Sequence, residues 1–156
     1  MAVDERWRPS VTVAAVIEHD GRFLLVEEHT PEGLRLNNPA GHLEPGETPE
    51  QAVVREALEE TARAFVPEAL LGVYMARFVR PGSRGGGNVG DGEGGGDSAG
   101  ASEDITYLRF AYSGRVGEAV PGRALDEGIV RTLWLTREEI AREQARHRSP
   151  LLMRCI

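Results

Sequence analysis

The sequence predicts a mixed α/β domain of the α+β class built on a mixed β-sheet, and three observations carry the prediction. A β-hairpin signal stands near the start, a strongly capped helix occupies the middle, and strand-like runs flank the helices without a regular βαβ repeat. At 156 residues the chain has the length of one domain, and 40% hydrophobic content is enough for a real core. A single domain over residues 1–156 is therefore expected.

Val11 to Ile17 is rich in β-branched residues, and Arg22 to Glu28 carries a second apolar stretch around Phe23, Leu24, Leu25 and Val26. Asp20-Gly21 between them reads as a tight turn. A polar loop is expected through Pro31 and Gly33. Asn37 to Gly41 follows, where Pro39 and Gly41 exclude a helix and suggest a short strand or bend. Thr48-Pro49-Glu50-Gln51 then has a Thr cap, Pro at the first helical position and Gln three residues after the cap, which predicts a helix from about Thr48 to Ala62. Strands are expected at Leu70–Val79, Thr106–Tyr112 and Ile129–Leu135, and Thr136 to Glu139 caps and opens a last helix.

Between Arg80 and Glu103 lie more than half of the chain's 19 glycines and almost no apolar side chain. Such a segment gains too little burial to offset the entropy of ordering, so a flexible Gly-rich insertion at about 81–103 is expected. It has neither the GxGxxG pattern nor the lysine of a phosphate cradle.

The formal charge of −7 argues against a nucleic acid polymer as ligand, because binding to phosphate backbones needs clustered Lys and Arg. Cys155 is the single cysteine and reads as a spare thiol. No apolar run approaches the roughly 20 residues of a spanning helix, so no membrane partner and a cytoplasmic location are expected.

The chemistry lies on the central helix. At about 100° per residue, Glu56, Glu59 and Glu60 fall within one arc, while Val54, Ala57, Leu58 and Thr61 form an apolar face on the other side. Clustered carboxylates repel each other, which raises their pKa values unless a positive group sits among them. Oxygen donors without His or Cys suit Mg²⁺, with Mn²⁺ as an alternative, over zinc. The spacing alone equally describes a solvated acidic face screened by Arg55 and Arg63.

Read as a whole, Gly41, Glu47, Arg55-Glu56 and Glu59-Glu60 are spaced as G-x5-E-x7-R-E-x2-E-E, which resembles the box of the Nudix hydrolase family. Six fixed letters coincide by chance on the order of 10⁻⁷ per starting position. Ala62 stands where the family has Gly, and Arg63 where it has an aliphatic residue. Thr12-Val13-Ala14, Asn38 to Glu44, Trp134-Leu135-Thr136 and Arg148 to Leu151 are similar to its small bacterial NudJ-like phosphatase subgroup, in which tryptophan is expected at Leu36. The resemblance implies an α/β/α sandwich and hydrolysis of a phosphoanhydride bond. The substrate would be a nucleoside di- or triphosphate or a thiamine-type pyrophosphate, and the protein a monomer.

It also implies Glu56, Glu59 and Glu60 as metal ligands, the Ala40 carbonyl as a further one, and Glu47 with Arg55 as an orienting pair. Glu60 is the first choice of general base, and Asp126 or Glu127 are candidates for an extra ligand or base. His42, Tyr74, Arg77, Tyr107 and Arg109 are weaker candidates, in which Arg would suit a phosphate and Tyr a base or ring. The rival reading is a catalytically silent nucleotide-binding domain.

Overall fold

The computed structural model describes residues 6–82 and 102–156. The Gly-rich insertion expected over 81–103 thus falls largely outside the described residues. Strand β1 (Ser10–Val16) leads through a two-residue β2 (Glu18–His19) into β3 (Arg22–Thr30). The turn between β2 and β3 places Asp20 and Gly21 at φ 50° and 75°, the paired positive values of a tight hairpin turn that Asp-Gly favours.

The region read as a polar loop is in fact a second hairpin. Strand β4 (Gly33–Asn37) pairs antiparallel with β3 from Thr30↔Gly33 to Val26↔Asn37, and Thr30 Oγ1 donates to the Gly33 carbonyl across the turn. Leu34 and Leu36 already alternate with polar residues there, over a run too short to stand out. Strand β5 (Ala40–His42) follows, then helix α1 (Pro49–Thr61), and the long strands β6 (Phe65–Arg80) and β7 (Glu103–Val116). Last come β8 (Ile129–Thr136), helix α2 (Arg137–Arg142), a single 3₁₀ turn at Gln144–Arg146, and helix α3 (Leu151–Arg154). The helix expected to be last is only six residues long and has α3 after it.

Two four-stranded sheets result. The first runs β5-β1-β7-β6, with β1 parallel to β7 and antiparallel to β5, so it is mixed as expected. In the second, β3 pairs antiparallel with β2, β4 and β8. Val13 and Ala15 of β1 and Ile17 just after it pack with Leu24, Phe65 and Tyr112 against Ala52, Val53 and Ala57 of α1. Leu25 and Leu36 pack against Ile140 and Leu152, which places α2 and α3 over another part of the sheets. No helix among the described residues is long and apolar enough to cross a membrane.

Candidate active site

Helix α1 starts as the sequence predicts. The Thr48 side chain accepts from the Gln51 N–H, the Gln51 side chain accepts from the Thr48 N–H, and Pro49 fills the first turn. At the other end Ala62 takes the left-handed conformation at φ 57°, and its N–H donates to the Leu58 carbonyl. The helix therefore ends in the geometry glycine favours, with an alanine held in it.

The buried face only partly matches the expected one. Ala57 and Thr61 are buried as expected, Val54 and Leu58 only partly, Ala52 and Val53 are buried as well, and Glu56 and Glu60 are themselves buried at 8% and 7% exposure. The acids are covered by β5, whose backbone lies against them. The Ala40 N–H donates to Glu60 Oε2 at 3.0 Å, and a Cβ built on Gly41 would stand 2.0 Å from Glu56 Cδ. Glycine at 41 is what lets the loop backbone reach the carboxylate. Two of the three acids thus sit in the seam between α1 and β5, and Glu59 is the more exposed one.

Arg55 organises this seam. Its Nε and Nη2 grip Glu47 at 3.1 and 2.7 Å, the forked geometry expected for that pair, and Nη2 also donates to the His42 carbonyl at 3.0 Å. Its Nη1 donates to Glu56 Oε1 at 2.7 Å and Glu59 Oε2 at 3.2 Å. The Arg55 hydrogen bond holds the Glu47 carboxyl below the usual range, and Glu47 in turn accepts the Glu44 N–H. Burial raises Glu56 despite Arg55 beside it, with Glu59 and Asp126 adding to the rise. Among the described residues Glu60 makes no ion pair. Burial first, then the charges of Glu56, Glu28 and Asp126, push it up to about 9 against the Ala40 hydrogen bond.

Part of this seam borders a cavity of about 610 Å³, whose wall does not include Glu47, Arg55 or Glu59. Ala40, Gly41, Glu56, Glu60 and Asp126 line it, as do His42, Tyr107 and Arg109. Asp126 is fixed beside the helix by its N–H, which donates to the Glu59 carbonyl at 2.9 Å. Glu127 is not in the wall. Arg77 is also elsewhere, paired with Asp104 at 2.7 Å on the surface, and Tyr74 packs beside Val16, Ala111 and Cys155. Trp134 is partly buried against the core below α1, with the Arg63 guanidinium 5.9 Å from its ring. Leu36 is fully buried, so the position where an aromatic was expected belongs to the core.

The sequence reading missed Thr12 and Glu28 in the cavity wall. Glu28 continues the Leu24, Val26 alternation of β3, so an acid at an inward-facing position was the available signal. Burial raises its pKa as well, against Arg148 and Arg109. Arg109 is 5% exposed, and burial weakens its hold on its proton.

Buried, mutually repelling carboxylates thus lie beside a glycine-backed strand and a polar cavity. The model of the NUDIX domain matches residues 6–155, and the chain belongs to that family as a Nudix hydrolase. It is 30% identical over 150 residues to phosphatase NudJ of Escherichia coli strain K12, across 96% of this chain and 82% of that protein. Among solved structures, a NUDIX hydrolase from Nitrosomonas europaea matches with a TM-score of 0.73 and 47% identity, covering 95% of this chain and 86% of that one. A MutT NUDIX hydrolase from Burkholderia pseudomallei shares the fold at a TM-score of 0.60 and 22% identity, over 85% of this chain and 87% of that one. Nudix hydrolases act on small-molecule substrates and generally use divalent metal cations.

The donor set fits such a cation in its chemistry, since it consists of oxygens and includes one buried carboxyl that makes no ion pair among the described residues. Among the described residues, no three His, Cys, Asp or Glu side chains already converge as a cation site. Arg55 holds Glu56 through Oε1 and Glu59 through Oε2, which leaves the second oxygen of each carboxylate out of that contact.

Proposed function

We propose that the protein hydrolyses a phosphoanhydride bond in a small diphosphate-bearing metabolite. The substrate class is a nucleoside di- or triphosphate or a thiamine-type pyrophosphate. The proposal assigns Mg²⁺, with Mn²⁺ as a substitute, to Glu56, Glu59, Glu60 and the Ala40 carbonyl. The single-domain reading of residues 1–156 belongs to it, supported by one family match over 6–155.

The observation that carries the reading is Glu60. A carboxylate 7% exposed, beside Glu56 and in no ion pair among the described residues, is costly unless a cation joins it or it keeps a proton, and the first is what makes it useful at neutral pH. When bound, a divalent cation neutralises the diphosphate and acidifies the attacking water. Glu56 and Glu60 supply the charge that retains it, and Arg55 with Glu47 fixes the loop that brings Ala40 to the helix. Glu60 is ionised at neutral pH only with positive charge beside it, which ties its role as base to the loaded site. Its Oε2 is held by the Ala40 N–H, which leaves Oε1 to accept the proton of water. Asp126, in the same wall, is the alternative base or extra ligand.

The test is phosphate release from a panel of these diphosphates and triphosphates with Mg²⁺ and with EDTA, the products being identified by mass. Mg²⁺-dependent turnover of at least one member is expected. Nucleotide binding without turnover of any member would instead make the domain a silent binder.

A further inference from the structure

Arg109 lies at the cavity wall in the middle of β7, opposite Thr12 of β1 in the parallel register. Among the described residues it makes no ion pair. Its Nη1 and Nη2 reach the side-chain oxygens of Asn38 and Asn37 only at 3.4 and 3.5 Å, the neutral Cys155 thiol stands beside it, and its Nε has no acceptor. Four buried side-chain polar atoms among the described residues lack a partner. Three of them, Thr12 Oγ1, Glu28 Oε1 and Arg109 Nε, belong to residues of this one cavity. Folded proteins satisfy nearly all such atoms, so their concentration in one wall marks a place where a ligand completes the bonding.

The charges sort that ligand. The α1 acids require a cation, whereas the Arg109 guanidinium, within charge range of Glu28 and Glu60 but hydrogen-bonded to neither, keeps donors free, and its fork suits a phosphoryl group. Glu28 and Glu60 flank the same space, so an anion arriving alone meets repulsion, and a diphosphate bringing its own divalent cation does not.

We infer that Arg109 is the receptor for a phosphoryl group of the substrate, with the Thr12 hydroxyl donating beside it. The inference rests on the reading of this cavity as a diphosphate site. Arg109 then acts on binding.

Calorimetric titration of methylenediphosphonate in the presence of Mg²⁺ tests this on the parent, Arg109→Met and Arg109→Lys. Mg²⁺ alone and melting in EDTA serve as controls. Arg109→Met is expected to bind the diphosphonate about 10- to 100-fold more weakly, the loss typical of a hydrogen bond to a charged group, with Arg109→Lys in between. Its KM should rise by a similar factor while kcat changes less. It should melt in EDTA close to the parent, because Arg109 makes only long contacts to Asn37 and Asn38, and keep the parent's response to Mg²⁺ alone. Unchanged diphosphonate affinity would overturn the inference and leave the diphosphate reading standing. A marked fall in melting temperature in both variants would overturn it too, making Arg109 a strut for Asn37 and Asn38. A parent that binds no diphosphonate at all would refute the diphosphate reading, and the inference with it.

Discussion

Replacing Glu60 by Gln should make the metal-free protein more stable while removing its function. The Glu60 carboxyl ionises near pH 9 in the fold and near 4.5 as a free side chain. The folded state therefore holds a proton that the unfolded state releases between these values, and stability falls as pH rises through that window. At pH 7 the gap is about 2.5 pH units, and at ~1.36 kcal/mol per unit the cost is about 3 kcal/mol. Gln has no charge to desolvate, and its carbonyl can still accept the Ala40 N–H. For a domain of this size the gain corresponds to roughly 6–12 °C. Melting curves in EDTA from pH 5 to 9 read it directly. The parent should lose stability across the range, and the variant should lose less and melt higher at pH 7 and above. A variant melting below the parent at pH 7 would refute the reasoning, since Glu60 would then be stabilised by a partner this account leaves out.

Four further outcomes follow from single contacts. Arg55→Ala removes the partner of Glu47, Glu56 and Glu59 together, and should cost about 2 kcal/mol in denaturant melts and at least about tenfold in turnover; an effect on turnover alone would show that the residue does not brace the loop. Gly41→Ala puts a methyl 2.0 Å from Glu56 Cδ, so phosphate release should fall at least about tenfold as strand and helix separate. Ala62→Gly relieves a left-handed alanine and should raise the melting temperature by about 1–3 °C with activity unchanged. Because Arg80 and Glu103 stand opposite each other in the β6–β7 register, replacing residues 83–101 by a short turn should leave stability and phosphate release within about twofold of the parent.

What was legible in the sequence had local causes. Thr48, Pro49 and Gln51 act within one turn, Asp20-Gly21 within two residues, and Thr136 with Glu139 within three, so each could be read without knowing the rest of the chain. The Glu47–Arg55 pair was available from the family pattern. The burial of Glu56 and Glu60 was not, because it depends on β5 arriving from outside the helix, and a helical wheel carries no information about what lies over it. Thr12, Glu28 and Arg109 come from three strands, and only the pairing of β1 with β7 and the meeting of the two sheets brings them to one wall. Arg109 was noted as suited to a phosphate, but nothing local marked it as buried and short of partners.

Whether the α1 carboxylates hold a divalent cation for hydrolysis is read by Mn²⁺ binding, followed by the loss of the free-ion electron paramagnetic resonance signal. The parent should bind Mn²⁺ more tightly as pH rises from 6 to 8, because Glu60 must give up its proton to the ion, and Mg²⁺ should compete. Glu56→Gln with Glu60→Gln should abolish that binding while the protein stays folded. Equal Mn²⁺ binding in the parent and the doubly substituted protein would place the cation elsewhere and contradict the account.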